Sequence, residues 1–216
     1  MARLKIRLFR RRGSRRLVFI VTAAAAIIFV LGHEAPAPQP GEDLAAVAET
    51  LHIDAAAPAP LPIRTKAAQC ATHGPYPDRA CTPGLARTGI ERSDICRSGY
   101  TKTARNVPVS LKKSVYAEYG LSYPQAPNAY EVDHLVPIEL GGSNDIANLF
   151  PEAAAPAPGF HEKDLVEDYL GQEMCAGRVD LTVAQSLIAT DWVRVYESIG
   201  ADELAALEKK YKSWAK

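Results

Sequence analysis

The sequence predicts an α+β fold in which a small strand–loop–strand–helix centre is wrapped by further helices. Three observations predict it. Residues 130–140 alternate like a strand and stop at Gly141-Gly142. Residues 146–150 supply a short second apolar run. Beyond a Pro/Ala loop (EAAAPAPG), residues 161–175 read as a helix stopped near Gly177.

The flanking elements follow in order. The first sixteen residues hold eight bases (Arg3, Lys5, Arg7, Arg10, Arg11, Arg12, Arg15, Arg16) and no acid, and residues 17–32, LVFIVTAAAAIIFVLG, carry no charge. At ~1.5 Å per residue that run spans roughly 24 Å, short of a ~30 Å hydrocarbon core. Residues 1–32 are therefore expected to be a signal peptide, or an uncleaved anchor with its basic end in the cytoplasm. Residues 33–216 would then lie outside the cytoplasm, periplasmic or secreted, or held at the membrane through residues 17–32. Residues 33–62 are rich in Ala and Pro (APAPQP, AAAPAPLP) and read as a semi-rigid tether. Within it, residues 42–52 could form a brief helix, too short to be stable alone. The folded unit is expected over 63–216. Helices are expected at 109–119, at 181–199 (bent or divided) and at 202–214.

All four cysteines, Cys70, Cys81, Cys96 and Cys175, follow the apolar run, and none form a Cys-x-x-Cys pair. An even count in an exported chain predicts two disulfides with three connectivities open. The local pairing Cys70–Cys81, which leaves Cys96–Cys175, is the expected one.

The formal net charge of zero hides three regions. Behind the basic leader, 17 bases stand against 25 acids, which excludes a uniformly basic nucleic-acid binder. Residues 64–113 hold ten bases and three acids, whereas 114–216 hold seven bases and seventeen acids. Arg97, Lys102, Arg105, Lys112 and Lys113, with Tyr100 nearby, are candidate phosphate contacts. Nothing resembles a base-reading helix or a zinc finger, so little sequence preference is expected.

Chemistry concentrates in residues 131–167. Asp133 and His134 are neighbours, so both reach one cleft only if the strand ends or distorts there. Gly141-Gly142 allows a tight turn, Asn144, Asp145 and Asn148 follow it, and His161 lies near the start of the next helix. Hard oxygen ligands from Asp133 and Asn148 suit Mg²⁺ or Mn²⁺, and an added imidazole shifts the preference toward Mn²⁺, Ni²⁺ or Zn²⁺. A His left uncoordinated can deprotonate water near neutral pH.

Asp133-His134-Leu135-x-Pro137, then Glu139-Leu140-Gly141-Gly142-Ser143-Asn144, then Asn148-Leu149, resembles the HNH endonuclease motif (His-Me finger, ββα-metal). The resemblance is to exported, disulfide-containing bacterial members. It extends upstream to Cys81-Thr-Pro-Gly and Gly99-Tyr100-Thr101-Lys102. Downstream it takes in Lys163-Asp164-x-x-Glu167, Cys175-Ala-Gly, Ala184-Gln185 and the run Ile188-Ala-Thr-Asp-Trp192, and it covers most of 64–200. It implies a motif core at 130–168 with His134 as general base, Asp133 as ligand of one divalent metal, and Asn148 as ligand or orienter. The third motif position, on the helix, falls to His161 with Asp164 as substitute, and Lys163 would contact phosphate. The implied function is low-specificity, metal-dependent endonucleolytic hydrolysis of DNA, with RNA left open, and with no small-molecule cofactor. A rival expectation is a non-catalytic, disulfide-stapled envelope module that binds nucleic acid or protein on the same scaffold.

Overall fold

The computed structural model describes residues 40–54 and 58–211. The basic leader, the apolar run 17–32 and most of the Ala/Pro stretch lie outside them. Among the described residues the architecture is α+β: seven α-helices and one two-stranded antiparallel sheet. None of these helices is long and apolar enough to cross a membrane.

Helix α1 (Pro40–Thr50) lies within the stretch read as a tether. Its Leu44, Val47 and Ala48 recur at helical spacing and are buried in the common core. A helix of eleven residues is marginal in water, so this packing is what holds it. Residues 58–91 contain no regular helix or strand longer than an isolated bridge. They are tied by the Cys70–Cys81 disulfide, and the second disulfide joins Cys96 to Cys175, as expected. Short helices α2 (Arg92–Ile95) and α3 (Tyr100–Ala104) precede α4 (Val109–Glu118), which falls where a helix was expected.

Strand β1 (Tyr130–His134) pairs with β2 (Leu149–Ala153), His134 opposite Leu149 and Tyr130 opposite Ala153. The strand expected to continue to residue 140 ends six residues earlier. Leu135, Val136, Ile138 and Leu140 are apolar because a 3₁₀ turn at Ile138–Leu140 buries them, not because they alternate across a pleat. The second strand is displaced the other way. Ile146–Asn148 forms a 3₁₀ turn capped by Asp145, whose Oδ1 accepts from Ala147 N at 2.8 Å, and β2 runs on into the stretch read as loop. Pro151 is tolerated because a two-stranded sheet leaves every strand an edge.

Helix α5 (Phe160–Cys175) begins where Glu162 Oε2 accepts from Gly159 N at 2.7 Å. It packs along α6 (Leu181–Ser198), and their shared face buries Val166, Leu170, Met174, Leu187, Ile188 and Trp192. The break expected in α6 is at Asp191, with φ −158° and ψ 80°. Asp191 Oδ1 accepts from Arg194 N at 3.0 Å, capping the second half, and also takes the Tyr76 hydroxyl. Helix α7 (Ala201–Lys210) closes the described chain, with Asp202 and Glu203 in its first turn and Lys209 and Lys210 in its last.

Candidate functional site

The order β1, connector, β2, α5 brings the two ends of the 130–168 stretch together. The connector is gripped from upstream. Ser143 N donates to Leu85 O at 2.8 Å, Arg87 N to Gly141 O at 2.9 Å and Gly84 N to Ala147 O at 3.2 Å. Gly141 has φ +73°, and a Cβ on it would lie 2.9 Å from Ile90. At Gly142 a Cβ would sit 1.8 Å from Val136 O, so no other residue fits there.

Asn148 is the brace of this connector. It is fully buried, and its Oδ1 accepts from Leu85 N at 3.0 Å and from Val136 N at 2.9 Å. Its Nδ2 donates to Val136 O at 2.8 Å and to Ser143 O at 2.9 Å. Both oxygen lone pairs and both N–H bonds are thus used by the backbone, leaving nothing for a metal. The role of orienter fits; the role of ligand does not. The same bonds supply Val136 with the partners that a longer strand would have given it.

His134 ends β1 and is 1% exposed. Its Nε2 lies 3.1 Å from Asn144 Oδ1. The Asn144 amide is itself fixed: Nδ2 donates to Ala104 O at 2.8 Å, and Oδ1 accepts from Asn106 N at 3.1 Å. With an oxygen facing it, Nε2 must carry the proton. In a neutral ring that leaves Nδ1 as a bare acceptor, and this atom is buried without a hydrogen-bond partner. Burial lowers the His134 pKa to about 4 against the pull of Asp133, so the ring is neutral at physiological pH.

Asp133, also buried, faces a different partner. Lys163 Nζ, 0% exposed, donates to Asp133 Oδ2 at 2.5 Å, to His134 O at 2.7 Å and to Glu167 Oε1 at 2.5 Å, with Glu152 Oε2 3.7 Å away. One ammonium can neutralise one carboxylate. Asp133 takes that role: burial works against its charge, but Lys163 outweighs it and lowers the pKa to about 2. Burial, with the Asp133 charge, pushes Glu152 and Glu167 well above the usual carboxylate range, so they tend to stay protonated. The expectation that Lys163 contacts substrate phosphate is corrected here: a fully enclosed ammonium with three oxygens upon it cannot reach solvent.

Two further carboxyl groups adjoin Asp133. Burial first, and then the Asp133 charge, raise Glu131 to about 7 and Asp164 to about 8, while Lys163, and then Arg105, pull both down. Such a set is short of positive charge. Mg²⁺ commonly binds through one or two carboxylates and keeps several waters; Asp164, and Asp133 beyond its bond to Lys163, are the carboxyl groups that would hold such an ion. His161 lies on the first turn of α5 with its ring 4.3 Å from that of Phe160. Asp133, His161 and Asp164 do not bring three ligand atoms within 4.8 Å of one another. Among the described residues, the one group of three ligand-type side chains within 4.8 Å of one another is Cys70, Asp78 and Cys81. Its two sulfurs are joined in a disulfide, so it offers a metal no thiolate unless reduced.

The other candidates separate. Arg105 lies close enough to influence His134, Glu131 and Asp164. Lys102 is exposed on α3. Arg97 is exposed, pairs with Asp94 at 3.4 Å, and lines another hollow with Glu139 and Lys210. Sequence reasoning missed the holding role of Asn144 and the caged carboxyl of Glu152. Comparison of the chain with protein-family models, curated proteins and solved structures gave no match.

Proposed function

We propose that the chain is a metal-dependent nuclease of the HNH (ββα) type that hydrolyses phosphodiester bonds outside the cytoplasm. The observation that carries this reading is His134: a neutral imidazole whose Nε2–H tautomer is imposed by Asn144, with Nδ1 left as an acceptor without a hydrogen-bond partner. That is the arrangement a general base needs before it takes a proton from water. Asn144 and the backbone of Ala104 and Asn106 hold the ring's direction, and Asn148 holds the connector that carries Asn144. Lys163 fixes Asp133. Arg105 is available to a phosphate oxygen. A divalent ion held by Asp133 and Asp164 would, when bound, neutralise charge on the phosphoryl group.

Two disulfides are compatible with an extracellular location. With the basic leader and apolar run, they support export, with residues 1–32 as signal peptide or anchor.

The test is plasmid cleavage by the full chain in mild detergent, with Mg²⁺ or Mn²⁺ against EDTA. His134→Ala is expected to lower the metal-dependent rate by roughly 10²–10⁴-fold while the melting curve is retained. Cleavage unchanged in that variant overturns the assigned mechanism. The rival reading, a non-catalytic binding module, draws on the full engagement of Asn148 and on Lys163 occupying Asp133. No cleavage under any metal, with nucleic-acid binding intact, would establish it.

A further inference from the structure

Next to the His134 site, α4, the loop 123–128 and the start of β1 enclose a cavity of about 330 Å³. Arg105 and Lys112 line one part of it, Tyr116, Tyr123 and Tyr130 another, and Glu131 joins it to the acidic set. Tyr123 is 40% exposed; its ring lies 5.9 Å from that of Tyr116, tilted by 42°, and Lys113 Nζ stands 5.6 Å from its centroid. Among the described residues Arg105, Lys112 and Lys113 make no ion pair. Two cations without an ion pair, Arg105 and Lys112, and an exposed aromatic ring thus line a recess of nucleotide size.

We propose that this cavity takes one unpaired nucleotide, its base against Tyr123 and its phosphate between Arg105 and Lys112, so that the site prefers single-stranded to duplex nucleic acid. The proposal rests on the nuclease reading for the identity of the neighbouring site. Its own support is physical. A base within a duplex is stacked on both faces and has none to offer the ring, whereas an unpaired base offers a free π-face of any sequence. A duplex also carries one charge per ~1.7 Å of axis against ~3.4 Å for one strand.

The experiment measures fluorescence anisotropy of the full chain in EDTA, so that binding is read without cleavage. The probe is one labelled mixed-sequence oligonucleotide, alone or annealed to its complement. The single strand is expected to bind about tenfold more tightly or better. Tyr123→Ala is expected to weaken single-strand binding about tenfold and leave the duplex unchanged, while Tyr123→Phe keeps the wild-type value. Lys112→Ala should lower the salt slope of single-strand binding by about 0.7. Thermal melting checks that the variants are folded. Equal or tighter duplex binding, or single-strand binding indifferent to Tyr123→Ala, overturns the proposal. Single-strand binding with no cleavage on adding Mn²⁺ overturns the nuclease reading and leaves this one standing; equally fast cleavage of duplex and single strand does the reverse.

Discussion

Adjacent residues of β1 are held by opposite means. Asp133 is locked into a buried cage of charge, in which one ammonium serves three carboxyl groups. His134 is held by a neutral amide that is itself held by two backbone groups. The cage fixes position strongly and leaves no free valence on Lys163. The clamp fixes orientation weakly and leaves one ring nitrogen open. The difference teaches where stability and chemistry are separated in this molecule: breaking the cage should cost folding, and breaking the clamp should cost activity.

The largest effect is expected from Lys163→Met. It leaves Asp133 ionised and unpaired in the interior, so urea denaturation should register a loss of about 3–5 kcal/mol. A loss below ~1 kcal/mol would mean that the cage is not what holds the sheet to α5. Asn148→Ala comes next. Four backbone groups lose their partners at ~1 kcal/mol each, offset by whatever water enters, so about 3 kcal/mol is expected in the same measurement.

A smaller effect separates the cage from its acidic rim. Glu131 and Asp164 have folded pKa values of about 7 and about 8, above the unfolded values of roughly 4. Between those limits the folded chain keeps protons that the unfolded chain has released, so stability falls as pH rises from ~4 to ~8. The unfolding free energy from urea denaturation should therefore be higher at pH 5 than at pH 8 by at least ~2 kcal/mol, and Mg²⁺ or Mn²⁺ at pH 8 should restore part of the difference. Metal that leaves the midpoint unmoved would argue against Asp133 and Asp164 as its holders.

Asn144→Ala should move stability least, by about 1–2 kcal/mol, because water can replace part of its three bonds at a half-buried site, yet lower cleavage roughly tenfold or more. Nitrogen NMR of His134 would read the cause: the Nε2–H form dominates in the native chain and loses that dominance in the variant. A native ring protonated at Nδ1 would remove the basis for His134 as base.

The helices were legible because apolar periodicity is local. Residues 109–119, 161–175 and 181–199 each carry a buried stripe, and their observed bounds differ from the expected ones by a residue at each end or less. The end of β1 was not legible, since Leu135, Val136, Ile138 and Leu140 stay apolar and buried after the pleat has stopped. Nor was the role of Asn148, because the Leu85 amide that claims it lies 63 residues upstream. Asn144 is matched to Ala104 across 40 residues, and no local pattern announces that pairing. Lys163 did leave a trace. With Glu167, Leu170 and Met174 it falls on the buried stripe of α5, and a charge on such a stripe signals an internal partner rather than a solvated face.

The segment between Cys81 and Cys96 supplies Leu85 and Arg87, which grip the connector, yet before α2 it has no regular structure of its own. Both of its ends are crosslinks. It behaves as a strap under two buckles, with its order borrowed from sulfur rather than from a helix or sheet. The loops they close, 70–81 and 96–175, flank the strap, so the crosslinks restrict the chain on either side of it and fix where its two ends are held. Mild reduction should therefore loosen this strap before it melts α5 and α6, and hydrogen exchange should rise first at Gly84, Leu85 and Ser143.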